Sequence, residues 1–421
     1  MPPRHATPFV CLCFGFIVTF ALMPARAIDA PAPNIPPVDA LRTWLEQPAA
    51  IRPTLDEQLF SRVALNKTQA LEARKMLLRD HTAQIHATRE AEWKAETITL
   101  AGQALKWKHR QFGTKPKDGW NLYISLHGGG GAPTAVNDQQ WENQIKLYQP
   151  KDSLYIAPRA PTDHWNLWHE PPVDVLFNRL IEDAIVLGGV NPNRVYIMGY
   201  SAGGDGVYQL APRMADRWAA AAMMAGHPND ASPLGLRNIG FTIHVGALDD
   251  AYDRNKVAAE WGLKLDALLQ SDPTGYPHLV QLHAGRSHWM NLEDKVAVDW
   301  MAGFTRNPLP EKVVWKQSST THDHFYWLAM PPGEARAGQL VVAKRKNQEI
   351  ILESTEGVKS VILRLNDAML DLDQPVTLSR NGAILFKGIV PRTVQQIQSS
   401  LAEHGDPFLI FDACITVPIA N

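Results

Sequence analysis

Three residue types that can do chemistry together occur in this chain in a telling order: a serine, then an acid, then a histidine, each in a turn that follows an apolar run. The serine lies in Gly199-Tyr200-Ser201-Ala202-Gly203, between the apolar residues 195–198 and a small-residue segment, 202–207, suited to starting a helix. A Gly-x-Ser-x-Gly turn between strand and helix is tight enough that bulky flanks would clash. It holds the hydroxyl at a strand tip with a helix N-terminus behind it. The acid follows the β-like run 241–245 in Gly246-Ala247-Leu248-Asp249-Asp250. The histidine follows the run 279–283 in Gly285-Arg286-Ser287-His288-Trp289. On a parallel sheet this spacing suits a relay in which His288 deprotonates Ser201 and the acid fixes the imidazole tautomer.

Upstream, Leu126-His127-Gly128-Gly129-Gly130-Gly131 closes the apolar strand 121–126. Residues without side chains let backbone N–H groups approach a substrate oxygen. Gly129 and Ala202 are therefore the expected oxyanion-hole donors, and losing one such donor typically costs about 3–4 kcal/mol. Of the two acids, Asp249 sits three residues past Gly246, where such a turn presents its carboxylate inward, and Asp250 reads as a surface or capping residue. Two other histidines compete with His288. His283 lies within a strand and reads as a core residue, and His278 stands at the strand's opposite end.

With these four elements in this order, the chain resembles the α/β-hydrolase superfamily from about residue 98 to 304. Within it, Gly199-Tyr200-Ser201-Ala202-Gly203-Gly204 and the N-terminal segment look most like secreted esterases of the polyhydroxybutyrate-depolymerase and feruloyl-esterase type. That resemblance implies a serine esterase on a mainly parallel α/β sheet, acting on small or polymeric esters without a cofactor. The same scaffold serves peptidases of the prolyl-oligopeptidase type, which need a site for the substrate's N-terminus. A pair of glutamates that would supply one does not stand out. A catalytically silent fold with a polymer-binding β module is the third reading.

The chain has 421 residues, 45% hydrophobic and 20% charged, as in ordinary globular proteins. The formal net charge of -2, with no basic stripe, argues against a nucleic-acid partner. Arg4 and His5, an apolar run from 9 to 23 and Ala25-Arg26-Ala27 read as a signal peptide cleaved after Ala27. The run is shorter than the ~20 residues that span a bilayer, so no stable membrane insertion is expected. Cleavage would carry away Cys11 and Cys13, leaving Cys414 alone, with no internal disulfide possible. A periplasmic or secreted bacterial setting follows, with Cys414 read as a small buried strand residue.

Four domain-level segments are expected: residues 1–27 as signal, 28–96 as a proline-rich linker and helical extension, 97–307 as the catalytic α/β domain, and 311–421 as a small β-rich domain. In the extension, His81 and His86 read as surface positions on a long charged helix. In the catalytic domain, residues 98–109, 122–126, 154–157, 195–198, 219–224, 241–245 and 279–283 read as strands, with helices over 173–187 and 256–269. The ring-rich segment 158–172 should lie on the catalytic side, with Trp165 and Trp168 as expected substrate-binding residues. Past 307 the pattern turns to short strands, and Asn381-Gly382 marks a two-residue hairpin. Lys344-Arg345-Lys346 reads as a solvated hairpin tip. His322 and His324 would share one strand face. With no further ligands nearby in sequence, no metal is expected.

Overall fold

The structure, a computed structural model, describes residues 35–100 and 102–419. The expected leader, with Cys11 and Cys13, lies outside them. From Pro37 onward the chain forms one compact unit. Among the described residues no helix is long and apolar enough to cross a membrane.

The prefix is helical, as expected. Helix α1 (Pro37–Leu45) is followed by three short helical turns and then by α2 (Lys67–Lys94). Helix α2 starts at a reciprocal cap: Asn66 accepts from the Gln69 N–H at 2.9 Å and Gln69 Oε1 accepts from the Asn66 N–H at 3.0 Å. Its apolar stripe (Ala70, Ala73, Leu77) packs with Leu41 against Val394, Ile397 and Leu401, near the C-terminus. His81 corrects the surface reading, because its ring lies 2.7 Å from Glu182 on a neighbouring helix. His86 is paired only with Glu90 of its own helix and is exposed.

The central sheet has eight strands: β1 (Thr97–Leu100), β2 (Gln103–Phe112), β3 (Trp120–Leu126), β4 (Ser153–Arg159), β5 (Val190–Tyr200), β6 (Ala220–Met224), β7 (Gly240–Gly246) and β8 (His278–His283). Their spatial order is β1-β2-β4-β3-β5-β6-β7-β8. The single strand expected over 98–109 is two, β1 and β2, folded back antiparallel on each other. Strand β2 pairs antiparallel with β4, and the six strands from β4 to β8 run parallel. Apart from the edge strand β8, whose Gln281 and Leu282 are exposed, these parallel strands are largely buried and read as continuous apolar runs rather than alternating ones. Helices α3 (Thr134–Leu147), α4 (Pro171–Val186), α5 (Ala202–Arg213), α6 (Arg254–Ser271) and α7 (Val296–Ala302) flank the sheet.

Two smaller sheets follow. β9 (Lys312–Lys316), β12 (Leu340–Lys346), β13 (Glu349–Glu356), β15 (Val376–Arg380) and β16 (Ala383–Gly388) make a five-stranded sheet. β10 (His324–Phe325), β11 (Leu328–Ala329), β14 (Ser360–Leu365) and β17 (Ala413–Pro418) make a four-stranded one, and α8 (Val394–His404) precedes β17. Asn381 and Gly382 take φ of 50° and 78° between Arg380 and its partner Ala383, a two-residue turn of the expected kind. One apolar core joins these strands to the central sheet, with Trp315, Phe325 and Trp327 in the same cluster as Trp218 and Phe241.

Three readings of this region are corrected. Arg345 is not at a solvated tip: its guanidinium donates to the carbonyls of Leu309 and Met369 and is half-buried. Cys414 is exposed, because β17 alternates and position 414 falls on the outer face. His322 precedes the strand rather than sharing a face with His324, and its Nε2 lies 2.7 Å from the buried Asp174.

Candidate functional site

Strand β5 ends at Tyr200 and α5 begins at Ala202, so Ser201 alone makes the turn, with φ 57° and ψ −122°. A non-glycine residue there costs about 1–3 kcal/mol, which the surroundings must offset. They do so by close packing. A Cβ on Gly199 would lie 2.2 Å from the Gly203 carbonyl oxygen, and one on Gly203 would lie 2.2 Å from the Leu126 carbonyl oxygen. The Ser201 N–H donates to the Met224 carbonyl at 2.9 Å, which ties the turn to β6.

The side chains expected to act together meet here. His288 Nε2 lies 3.0 Å from Ser201 Oγ, and His288 Nδ1 lies 2.8 Å from Asp249 Oδ2. Asp249 is 2% exposed, whereas Asp250 faces solvent and heads a short helical turn. The acid and histidine loops are stitched together, since Leu248 N–H donates to the Arg286 carbonyl and Ala247 N–H to the His283 carbonyl. Arg254 stands 3.7 Å from the other oxygen of Asp249. The rival His278 is placed at the far end of β8 against Asp266. His283 is buried against His244.

The glycine loop is held by its own network. His127 is buried, and its Nε2 accepts from the Ala160 N–H at 3.1 Å. The proton must then be on Nδ1, which lies 2.6 Å from the Gly128 carbonyl. Burial pushes this imidazole down to about 4, so it stays neutral and serves to shape the loop. Gly130 N–H donates to Asn137 Oδ1 and Gly131 N–H to the Asp163 carbonyl. Among the described residues, the Gly129 and Ala202 N–H groups have no such acceptor. Gly129 takes φ 104°, and a Cβ there would strike Asn137, so the loop needs glycine at this point.

Two cavities open beside Ser201. The larger, about 580 Å³, is walled by Gly128, Gln140, Leu147, Tyr200, His288 and Trp289. The smaller, about 350 Å³, meets Gly129, Trp165, Ala202, Asp205, His227 and Arg254. Trp165 is exposed over this smaller space, edge-on to His169. Trp168 is a correction: it is fully buried, and its indole N–H donates to the His127 carbonyl at 2.9 Å. Its ring therefore props the glycine loop from below and cannot touch substrate.

Sequence reasoning missed Tyr200 and Trp289. Tyr200 OH donates to the His288 carbonyl at 2.6 Å and accepts from the Met290 N–H at 3.0 Å, clamping the histidine loop to the elbow. The signal was adjacency to the serine and histidine turns, since one precedes Ser201 and the other follows His288.

No protein-family model matches the chain, and no curated protein is similar to it in sequence. Solved structures similar to it include a thermostable esterase, at 16% identity and TM-score 0.39, over 50% of this chain and 62% of that one. The chain thus spans less than two thirds of that esterase. LpqC, a poly(3-hydroxybutyrate) depolymerase from Bordetella parapertussis, is similar at 14% identity and TM-score 0.39, over 54% of this chain and 95% of that one. A putative dipeptidyl aminopeptidase IV from Bacteroides ovatus is similar at 14% identity and TM-score 0.34, over 49% and 34%. The strand order, the strained serine turn between β5 and α5, and the serine–acid–histidine order along the chain are this structure's own. By these features the chain has the α/β-hydrolase fold.

Proposed function

We propose that this protein is a secreted or periplasmic serine hydrolase that cleaves carboxylic esters through an acyl-enzyme. The observation that carries the reading is the contact chain from Ser201 Oγ to His288 Nε2 and from His288 Nδ1 to Asp249, at 3.0 and 2.8 Å. Ser201 Oγ attacks the ester carbonyl carbon while its proton passes to His288 Nε2. Asp249 holds the ring with Nε2 facing the serine and stabilises the imidazolium. The oxyanion is received by the N–H groups of Gly129 and Ala202, which lack acceptors of their own. The tetrahedral intermediate collapses, the C–O bond to the alcohol breaks, and His288 returns the proton to the leaving oxygen. Water then repeats the sequence on the acyl-serine, releasing the acid and restoring Ser201. No cofactor takes part in these steps.

A cavity on each side of Ser201 gives each half of an ester its own space, with Trp289 on one side and Trp165 on the other. The test is a panel of p-nitrophenyl esters and aminoacyl-anilides on the full chain, with Ser201→Ala as control. Ester turnover that the variant abolishes supports the reading. Turnover of anilides without esters, or no labelling of the wild-type protein by a fluorophosphonate, overturns it.

A further inference from the structure

Helix α8 ends with Gly405 in a left-handed conformation, φ 57°, and its last two residues are Glu403 and His404. They face His324 at the start of β10. The His324 and His404 ring centroids are 4.3 Å apart, with the rings edge to face at 73°. One ligating atom from each of His324, Glu403 and His404 lies within 4.8 Å of the other two. The second observation is independent of this clustering. His404 is buried, and its Nε2 has no hydrogen-bond partner among the described residues. A buried polar nitrogen left unpaired costs about 1–3 kcal/mol, so its presence calls for a partner.

From this geometry we propose that His324, Glu403 and His404 form a binding site for a divalent late first-row transition metal, Zn2+ by preference. Two imidazoles and one carboxylate suit such an ion, and the fourth position is open to water. Ligand atoms around a tetrahedral zinc stand about 3.4 Å apart, so side-chain rotation of roughly an ångström closes the site. Glu403 is 32% exposed and provides the way in from solvent.

The surrounding charges are mixed. Arg364 reaches one oxygen of Glu403, and Arg217 and Arg306 stand behind His404. Asp406 pairs with Arg306 at 2.7 Å, and Asp323 faces Glu403 from β10's leading edge. The metal would join β10 to the end of α8. It would close the loop between residues 324 and 404 in a molecule whose one free cysteine among the described residues is Cys414. None of the three ligands lines a cavity beside Ser201, so the role is structural and independent of ester hydrolysis.

The test strips the full-length protein with a chelator and titrates it with Co2+, then Zn2+. One equivalent of Co2+ should produce the visible absorption of a tetrahedral site, and Zn2+ should displace it. Zn2+ should also raise Tm by about 5 °C, as binding to the folded state alone requires. Glu403 is exposed, so Glu403→Gln should fold normally and weaken Zn2+ binding by roughly 10- to 100-fold, while His324→Gln should abolish the Co2+ band. His86→Gln, which removes an exposed ring elsewhere, should change nothing. Absence of both the band and the Tm shift in wild-type protein overturns the proposal. So does a band that survives in both the Glu403 and His324 variants.

Discussion

Strands β7 and β8 carry two histidine sites whose differences are instructive. In one, His288 lies in the loop past β8, its side chain 43% exposed, with a buried carboxylate on Nδ1 and the serine hydroxyl on Nε2. In the other, His244 and His283 are buried within the strands themselves. There the Thr242 hydroxyl donates to the Leu279 carbonyl and so accepts from His244 Nε2–H at 2.9 Å. That leaves His244 Nδ1 as acceptor for His283 Nε2–H at 3.1 Å. Both nitrogens of His244 are committed to the sheet, and neither is available to a substrate. An imidazole becomes reactive where one nitrogen is anchored and the other remains reachable. Burial without such an opening makes it architecture.

The largest test of this contrast is His288→Ala. It should lower kcat by about 10⁵- to 10⁶-fold while leaving the melting temperature nearly unchanged. Residual turnover within tenfold of wild type would remove His288 from the relay. The inverse variant, His283→Ala, leaves His244 Nδ1 buried and unpaired. It should cost about 2–4 kcal/mol in urea denaturation while ester turnover stays within a few-fold. A stable but inactive His283 variant would mean that the buried pair does chemistry after all.

Acid should separate the two sites further. Burial holds His244 down to about 3, while in the unfolded chain it titrates at its ordinary value near 6.5. Below that value the unfolded state takes up a proton that the folded state refuses. Stability from this group is therefore complete above about pH 6.5 and falls as the medium acidifies. The loss reaches about 2 kcal/mol by pH 5. His127 and His169, each held down to about 4 by burial, act in the same direction. Because the raised pKa of Asp183 acts in the opposite sense, the test is the difference between chains: from pH 7 to 5 the denaturation midpoint of wild type should lose ground relative to His244→Gln. A slope unchanged in that variant would count against the assignment.

Much of this arrangement was readable in the residues themselves. Turn glycines, apolar runs and the serine–acid–histidine order singled out positions 201, 249 and 288, the three that meet in space. Local chemistry writes such turns directly into sequence. Helix α3 was not legible, because its buried face includes Asn137 and Gln144 and its apolar periodicity is weak. Trp168 was misread for a different reason: sequence shows that a loop is rich in rings but not which ring faces inward. The pairs His81 with Glu182 and His322 with Asp174 join residues 101 and 148 positions apart. Long-range partners of this kind leave no local signature.

The smallest expected effect concerns Tyr200, which links the serine turn to the loop that carries His288. Its hydroxyl bridges the His288 carbonyl and the Met290 N–H, so it sets the height of the loop from which the imidazole reaches Ser201. Tyr200→Phe keeps the ring, which packs against Trp289 and His288 in the wall of the larger cavity, and removes only the bridge. Loss of a hydrogen bond worth about 1 kcal/mol should misplace Nε2 enough to lower kcat by roughly five- to tenfold. KM should stay near its wild-type value, because the ring that lines the larger cavity is retained. A rise in KM at constant kcat would instead assign Tyr200 to substrate binding, and no change in either would show that the histidine loop holds its position without the clamp.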